Sequence, residues 1–257
     1  MTYLIELTLG TRCEITLANP PLNVVSHELT VQLRAALTEV ARHPDARVLV
    51  LTGAGGRAFC AGSDIAEFEA LHGRAAEDKL LLEKLVYRQL ARLAIPTIAA
   101  IEGHALGGGL ELALSCDLRV ASEQSKLGMP ELKLGVLPGS GGTQRLARVV
   151  GLARAKELIL LGEVVTAERA EQIGLVNRVA PRGTALDVAR ELADTIASRG
   201  PRAARLAKWL IDASVDRTLD EGLALELDAS EDVFDSKDML EGARAFREKR
   251  TPRFTGN

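Results

Sequence analysis

The stretch Ile98-Ala99-Ala100-Ile101-Glu102-Gly103-His104-Ala105-Leu106-Gly107-Gly108-Gly109-Leu110-Glu111-Leu112-Ala113 runs from an apolar strand through three consecutive glycines into a helix. Glycine allows a tight turn and close approach of a ligand to the main chain, and the first amides of a helix have no intrahelical partner. Such a turn favours negative charge. Glu111 stands in the first turn of the expected helix. Alone it would be a carboxylate complementing the helix dipole, but Leu110, Leu112, Ala113 and Leu114 surround it with apolar side chains, and a glutamate at least half buried there needs a reason. A second glycine-rich segment, Gly128 to Leu146, begins with Glu131 after Pro130, again a residue that could simply open a helical turn. Two carboxylates beside an anion-holding turn point to acid/base work on a substrate that forms an oxyanion.

Outward from this centre, the chain reads as α/β. Residues 3–9 and 13–17 alternate polar and apolar around Gly10-Thr11-Arg12 and predict a hairpin. Asn19-Pro20-Pro21 stops the second strand, and Ser26 is placed to cap a helix through Leu29, Leu33, Leu37 and Val40. Residues 47–52 and 97–101 are continuous apolar runs of the kind buried on both faces of a parallel sheet, and 118–121 is a third strand. Residues 59–63 are expected to stay irregular until Asp64 caps a helix, and 74–94 form one long helical pattern before Pro96. From about residue 183 the character changes. Segments 184–199, 201–215, 219–234 and 236–248 are all helical by period, which divides the chain into a core (1–183) and a helical C-terminal region (184–257).

Composition limits the function. The 257 residues are 47% hydrophobic and only 3% aromatic, so aliphatic side chains fill the interior. With 32 basic and 35 acidic residues the net charge is −3, which gives no field for gathering a polyanion, and no nucleic-acid partner is expected. Cys13, Cys60 and Cys116 have no paired spacing and fit buried thiols in a reducing compartment. Met1-Thr2-Tyr3-Leu4-Ile5-Glu6 has no basic region followed by an apolar run, and no stretch reaches membrane length. The expectation is a cytoplasmic protein with no membrane partner.

Rival motifs are weaker. Gly53-x-Gly55-x-x-Ala58 matches a dinucleotide fingerprint by pattern, but no helix opens within it. Pro138-Gly139-Ser140-Gly141-Gly142 has Pro138 where a hydrolase elbow has its first glycine. Ser63 has no histidine marked by its sequence context as a base among His27, His43, His72 and His104, so its contribution is assigned to its main chain. His104 reads as a structural loop residue, Cys60 as packed, Asp64 as a cap and Asp117 as the holder of a strand entry.

Four motifs in order resemble the crotonase superfamily, the enoyl-CoA hydratase/isomerase family: Ala58-Phe59-Cys60-Ala61-Gly62-Ser63-Asp64-Ile65, the segment from Ala105 to Ala113, Gly128-Met129-Pro130-Glu131, and the segment from Pro138 to Leu146. The resemblance spans nearly the whole chain. It implies a ββα spiral core closed by a helical trimerisation region, an acyl-CoA thioester substrate, and a homotrimer or homohexamer. It implies that the amides of Ser63 and Gly108 form an oxyanion hole, and that Glu111 and Glu131 hold and activate water and deliver a proton to the α-carbon. Ala61, Gly62, Asp64, Ile65, Gly107, Pro130, Leu137 and Gly139 fall at substrate-binding positions. Phe246 and Lys249 match an aromatic and a basic residue that reach the nucleotide of a neighbouring subunit, although cations at a helix end in water would look the same. Ala66 stands where a phosphate-binding lysine is common, and Leu127 where an aromatic residue is usual.

Family members that only isomerise double bonds often lack one of the glutamates, so both together favour a hydratase acting in the manner of fatty acid metabolism, with no cofactor and no metal beyond the coenzyme A of the substrate. An isomerase moving a 3,4 double bond to the 2,3 position, or another crotonase lyase, is the alternative. A member that binds without turnover, such as an RNA-binding homologue, would carry a basic helix. Residues 74–94 instead mix Arg74, Lys79, Lys84, Arg88 and Arg92 with Glu77, Asp78 and Glu83.

Overall fold

The computed structural model describes residues 3–257. Strands β1 (Ile5–Thr8) and β2 (Arg12–Leu17) form the antiparallel hairpin, with Ile5 opposite Leu17 and Leu7 opposite Ile15. Ser26 caps helix α1 (His27–Arg42) by accepting from the Leu29 amide, and Leu29, Leu33, Leu37 and Val40 form its buried stripe.

Three turns of a strand-strand-helix spiral follow. The first is β3 (Val48–Gly53), β4 (Ala58–Cys60) and α2 (Leu81–Ala91). The second is β5 (Thr97–Ile101), β6 (His104–Leu106) and α3 (Gly108–Ala113). The third is β7 (Leu118–Ser122), β8 (Lys126–Gly128), a 3-10 turn at Glu131–Leu134 and α4 (Gly142–Val150). Then come α5 (Leu152–Leu161), β9 (Val164–Thr166), α6 (Ala167–Gln172) and β10 (Arg178–Ala180). The first strand of each turn enters a six-stranded sheet ordered β1-β2-β3-β5-β7-β10, parallel beyond the hairpin. The second strand enters a small sheet ordered β4-β6-β8-β9.

The apolar runs are buried on both faces because alternate side chains serve different cores. Leu49, Leu51, Ala99 and Ile101 point into the main core beneath α1 and α2. Val48, Val50, Ile98 and Ala100 pack against Ala185, Ala189 and Ala193 of α7 (Ala185–Ala197). Helices α8 (Pro201–Ser214), α9 (Leu219–Phe234) and α10 (Lys237–Arg247) complete the chain close to the bounds read from periodicity. Asp117 holds the entry of β5 by accepting from the Thr97 amide at 2.7 Å and joins α8 through an ion pair with Lys208 at 2.8 Å.

Three local expectations are corrected. Ala58–Cys60 is a strand pairing with β6, so residues 59–63 are not irregular throughout, and the Gly53 to Ala58 pattern leads into a strand with no helix to hold a pyrophosphate. Asp64 caps only a 3-10 turn, Ile65–Glu67, with its carboxylate on the Ala66 amide at 3.0 Å. The long pattern of 74–94 is interrupted by a π-helical turn at Ala76–Leu80 before α2 begins. No helix among the described residues is long and apolar enough to cross a membrane. Met1 and Thr2, part of the N-terminal reading, lie outside the described residues.

Candidate active site

The carboxyl ends of β4, β6 and β8 converge on a cavity of about 560 Å³. Ser63, Gly108, Glu111 and Glu131 all line it, as do Ala61, Gly62, Ile65, Gly107, Pro130, Leu137 and Gly139. Asp64 does not. Its side chain is turned to Ala66, and its contribution is an amide donating to Val25 O at 3.1 Å. Phe246 and Lys249 lie at the end of α10, exposed and outside the cavity of their own chain.

The Ser63 segment is pinned from both sides. Val25 N donates to Gly62 O at 2.8 Å and Asp64 N returns a bond to Val25 O, which leaves the intervening Ser63 amide aimed away from that ladder. Gly108 opens α3, where a first amide has no intrahelical acceptor. Neither amide donates to another group among the described residues. A Cβ on Gly108 would stand 3.5 Å from Ser63 N, so the two segments lie side by side. Gly107 makes the turn between them possible with φ +51°, a left-handed value that other residues rarely adopt. Gly109 serves packing, since a Cβ there would lie 2.1 Å from the Cys60 carbonyl oxygen. Tyr87, buried on α2, donates its hydroxyl to Gly108 O at 3.0 Å and steadies the same turn.

Glu111 is 3% exposed. Its Oε1 accepts from Ser140 N at 2.8 Å and Gly142 N at 2.7 Å, so the loop after Pro138 holds the carboxylate in place. Burial pushes its pKa up to about 7; the Gly142 and Ser140 amides oppose the rise, while Glu131 and Glu83 add to it. Glu131 follows Pro130 at the start of its 3-10 turn. Both of its carboxylate oxygens are buried without a hydrogen-bond partner, and burial raises its pKa also. Buried polar groups are nearly always satisfied, so two bare carboxylate oxygens aimed into a cavity mark a place where something polar binds.

Other residues resolve as packing. Burial pushes the Cys60 thiol up to about 12, as befits a packed rather than reactive cysteine. All three cysteines are free and buried. His104 does not line the cavity.

The sequence reading missed Lys79, Glu83 and Ser140 as cavity residues. Lys79 and Glu83, read in the sequence only as part of the mixed charges of 74–94, are buried. The sequence offers only a lysine and a glutamate four residues apart, enclosing Leu80-Leu81-Leu82, a spacing that a solvated helix face shares.

Comparison with known proteins bears on the family and the fold. The family model described as enoyl-CoA hydratase/isomerase matches residues 10–257. An enoyl-CoA isomerase/hydratase of Mycosarcoma maydis is 46% identical, over 83% of this chain and 78% of that protein. A short-chain-enoyl-CoA hydratase of Clostridium acetobutylicum is 38% identical, over 92% of this chain and 91% of its own length. The crystal structure of an enoyl-CoA hydratase from Bacillus anthracis superposes with a TM-score of 0.96 at 41% identity, covering 99% of this chain and 100% of that one. With its spiral core, its paired glutamates and these relatives, the chain belongs to the enoyl-CoA hydratase/isomerase family.

Proposed function

We propose that the protein is an enoyl-CoA hydratase, adding water reversibly across the 2,3 double bond of an enoyl-CoA thioester. The observation that carries this reading is the pairing of two buried carboxylates, one oriented by two amides and one unpartnered, in the same cavity as two unused backbone donors. The thioester oxygen accepts from the Ser63 and Gly108 amides. Water sits between Glu111 and Glu131; its oxygen bonds to C3 while a glutamate takes its proton. The π electrons move toward the carbonyl oxygen as an enolate, which collapses as a glutamate delivers a proton to C2. Burial raises the pKa of both carboxyls, and the charge of Glu131 adds to the rise at Glu111, which suits the pair to proton transfer. This chemistry asks for no metal or redox cofactor. A short-chain-enoyl-CoA hydratase and an enoyl-CoA hydratase among the relatives support the same substrate class.

The proposal includes a cytoplasmic homotrimer or homohexamer in which Phe246 and Lys249 reach a neighbour's nucleotide. Leu219, Leu223 and Leu227 leave an apolar row exposed on α9, which supports association. The test is the loss of conjugated enoyl-thioester absorbance when crotonyl-CoA is hydrated, compared with longer and branched enoyl-CoAs. Activity on a 3-enoyl-CoA with none on any 2-enoyl-CoA would establish the isomerase instead, a reading favoured by the isomerase/hydratase name of the Mycosarcoma maydis relative.

A further inference from the structure

Lys79 and Glu83 are 4% and 2% exposed and form an ion pair at 3.3 Å in the cavity wall. Burying such a pair carries a large desolvation penalty, which good geometry and further hydrogen bonds must offset. Here those bonds lead to the two halves of the reaction centre. Lys79 Nζ donates to Val25 O at 2.9 Å, the carbonyl that also receives the Asp64 amide, so the ammonium clamps the segment presenting Ser63 N. Glu67, at 2.6 Å, supplies a second counter-charge. On the other side Glu83 Oε2 accepts from Ser140 Oγ at 2.5 Å, and Ser140 N donates to Glu111 Oε1. One turn of helix therefore ties the oxyanion segment to the loop that orients Glu111.

We propose that Glu83, paired with Lys79, is a positioning residue that holds Ser140 and through it orients Glu111. This rests on the reading of Glu111 as an acid/base group. The groups facing Glu111 are Glu131 from the 3-10 turn, Glu83 and Tyr87 from α2, and Arg145 from α4, together with the Ser140 and Gly142 amides. Glu83 and Glu131 disfavour a charged Glu111, whereas Arg145 and the amides favour it. Neutralising Glu83 leaves the favourable set less opposed.

The decisive variants are Glu83→Gln, which keeps the shape and removes the charge, and Ser140→Ala, which removes the hydroxyl link and keeps the charge. In Glu83→Gln the limb of the kcat/KM profile belonging to Glu111 moves to lower pH by about half a unit or more, with kcat reduced several-fold and KM within about twofold. In Ser140→Ala kcat falls several-fold while that limb moves less, and the double variant is no worse than the weaker single one. Carbon-13 titration of the Glu111 carboxylate in the free protein, identified by its loss in Glu111→Gln, follows the same displacement without any turnover. It thereby separates failure of this proposal from failure of the hydratase reading. A folded Glu83→Gln protein with an unmoved titration overturns the proposal, as do additive effects in the double variant. If Glu83→Gln does not fold, an unchanged kcat in Ser140→Ala overturns it.

Discussion

The backbone nitrogen of Ser140 stands 2.8 Å from Oε1 of Glu111 and donates to it. Even with this bond, burial lifts the carboxyl from 4.5 to about 7. The native state thus binds a proton between those values that the unfolded chain does not, and stability falls as pH rises through that window. Glu111→Gln keeps an acceptor oxygen for both amides and carries no charge. It should be more stable than the parent at pH 8 by about 3 kcal/mol, the free-energy equivalent of the raised proton affinity. The difference should vanish below about pH 4.5. Denaturant unfolding at the two pH values checks this, and an equal difference at both would contradict it.

Turnover should move the other way. Glu111→Gln and Glu131→Gln should each lower kcat by about a hundredfold or more, the usual range for acid/base groups, with KM changed far less. Full hydratase activity in either purified variant would remove that residue from the mechanism.

Ser63 and Gly108 are assigned through their amides, so side-chain changes at the two positions should have opposite effects. Ser63→Ala should retain most activity. Gly108→Ala has room to fold, since its Cβ would lie 3.4 Å from Ser63 Oγ, but the methyl would stand 3.5 Å from Ser63 N and, under the proposed mechanism, should lower turnover by crowding that amide. Gly108→Pro places proline at the first helical position, where it is tolerated, and deletes the donor. Loss of one oxyanion donor typically costs about 3 to 4 kcal/mol of transition-state stabilisation. Steady-state kinetics on folded protein decide the matter; an inactive Ser63→Ala beside an active Gly108→Pro would point to a covalent serine.

What the sequence revealed follows physical scale. The strands β3 and β5 are runs long enough to announce burial, and the Ser26 cap and the four C-terminal helices carry their periods over many residues. The strands β4, β6 and β8 have three residues each, too few for a pattern, and exist because the spiral brings them together. Glu111 and Glu131 were legible because carboxylates beside glycine turns and apolar neighbours are chemically conspicuous. Glu83 was not, because the spacing that places it four residues after Lys79 does not say which face of the helix meets solvent. Phe246 and Lys249 were named by resemblance, and folding of one chain does not bring them to the cavity.

Assembly supplies the remaining prediction. Light scattering at micromolar concentration should give a trimer or hexamer, and Leu223→Asp on the exposed row of α9 should shift it toward monomer. In the assembled parent, Phe246→Ala and Lys249→Ala should each raise KM for the acyl-CoA several-fold while leaving kcat nearly unchanged. A monomer with full activity would exclude both the assembly and the cross-subunit contacts.

The Cys60 carbonyl pressed against Gly109 fixes the gauge of the reaction centre. The main chain of β4 meets the main chain of α3 with no room for a side chain at Gly109, which keeps the segments carrying Ser63 and Gly108 close together. The apolar wall formed by Phe68, Leu71, Leu80 and Leu134 is free of that constraint. Under the proposed function, substitution along this wall changes which acyl chain is accepted while the two amides and the two glutamates keep their places, so selectivity can vary separately from the chemistry.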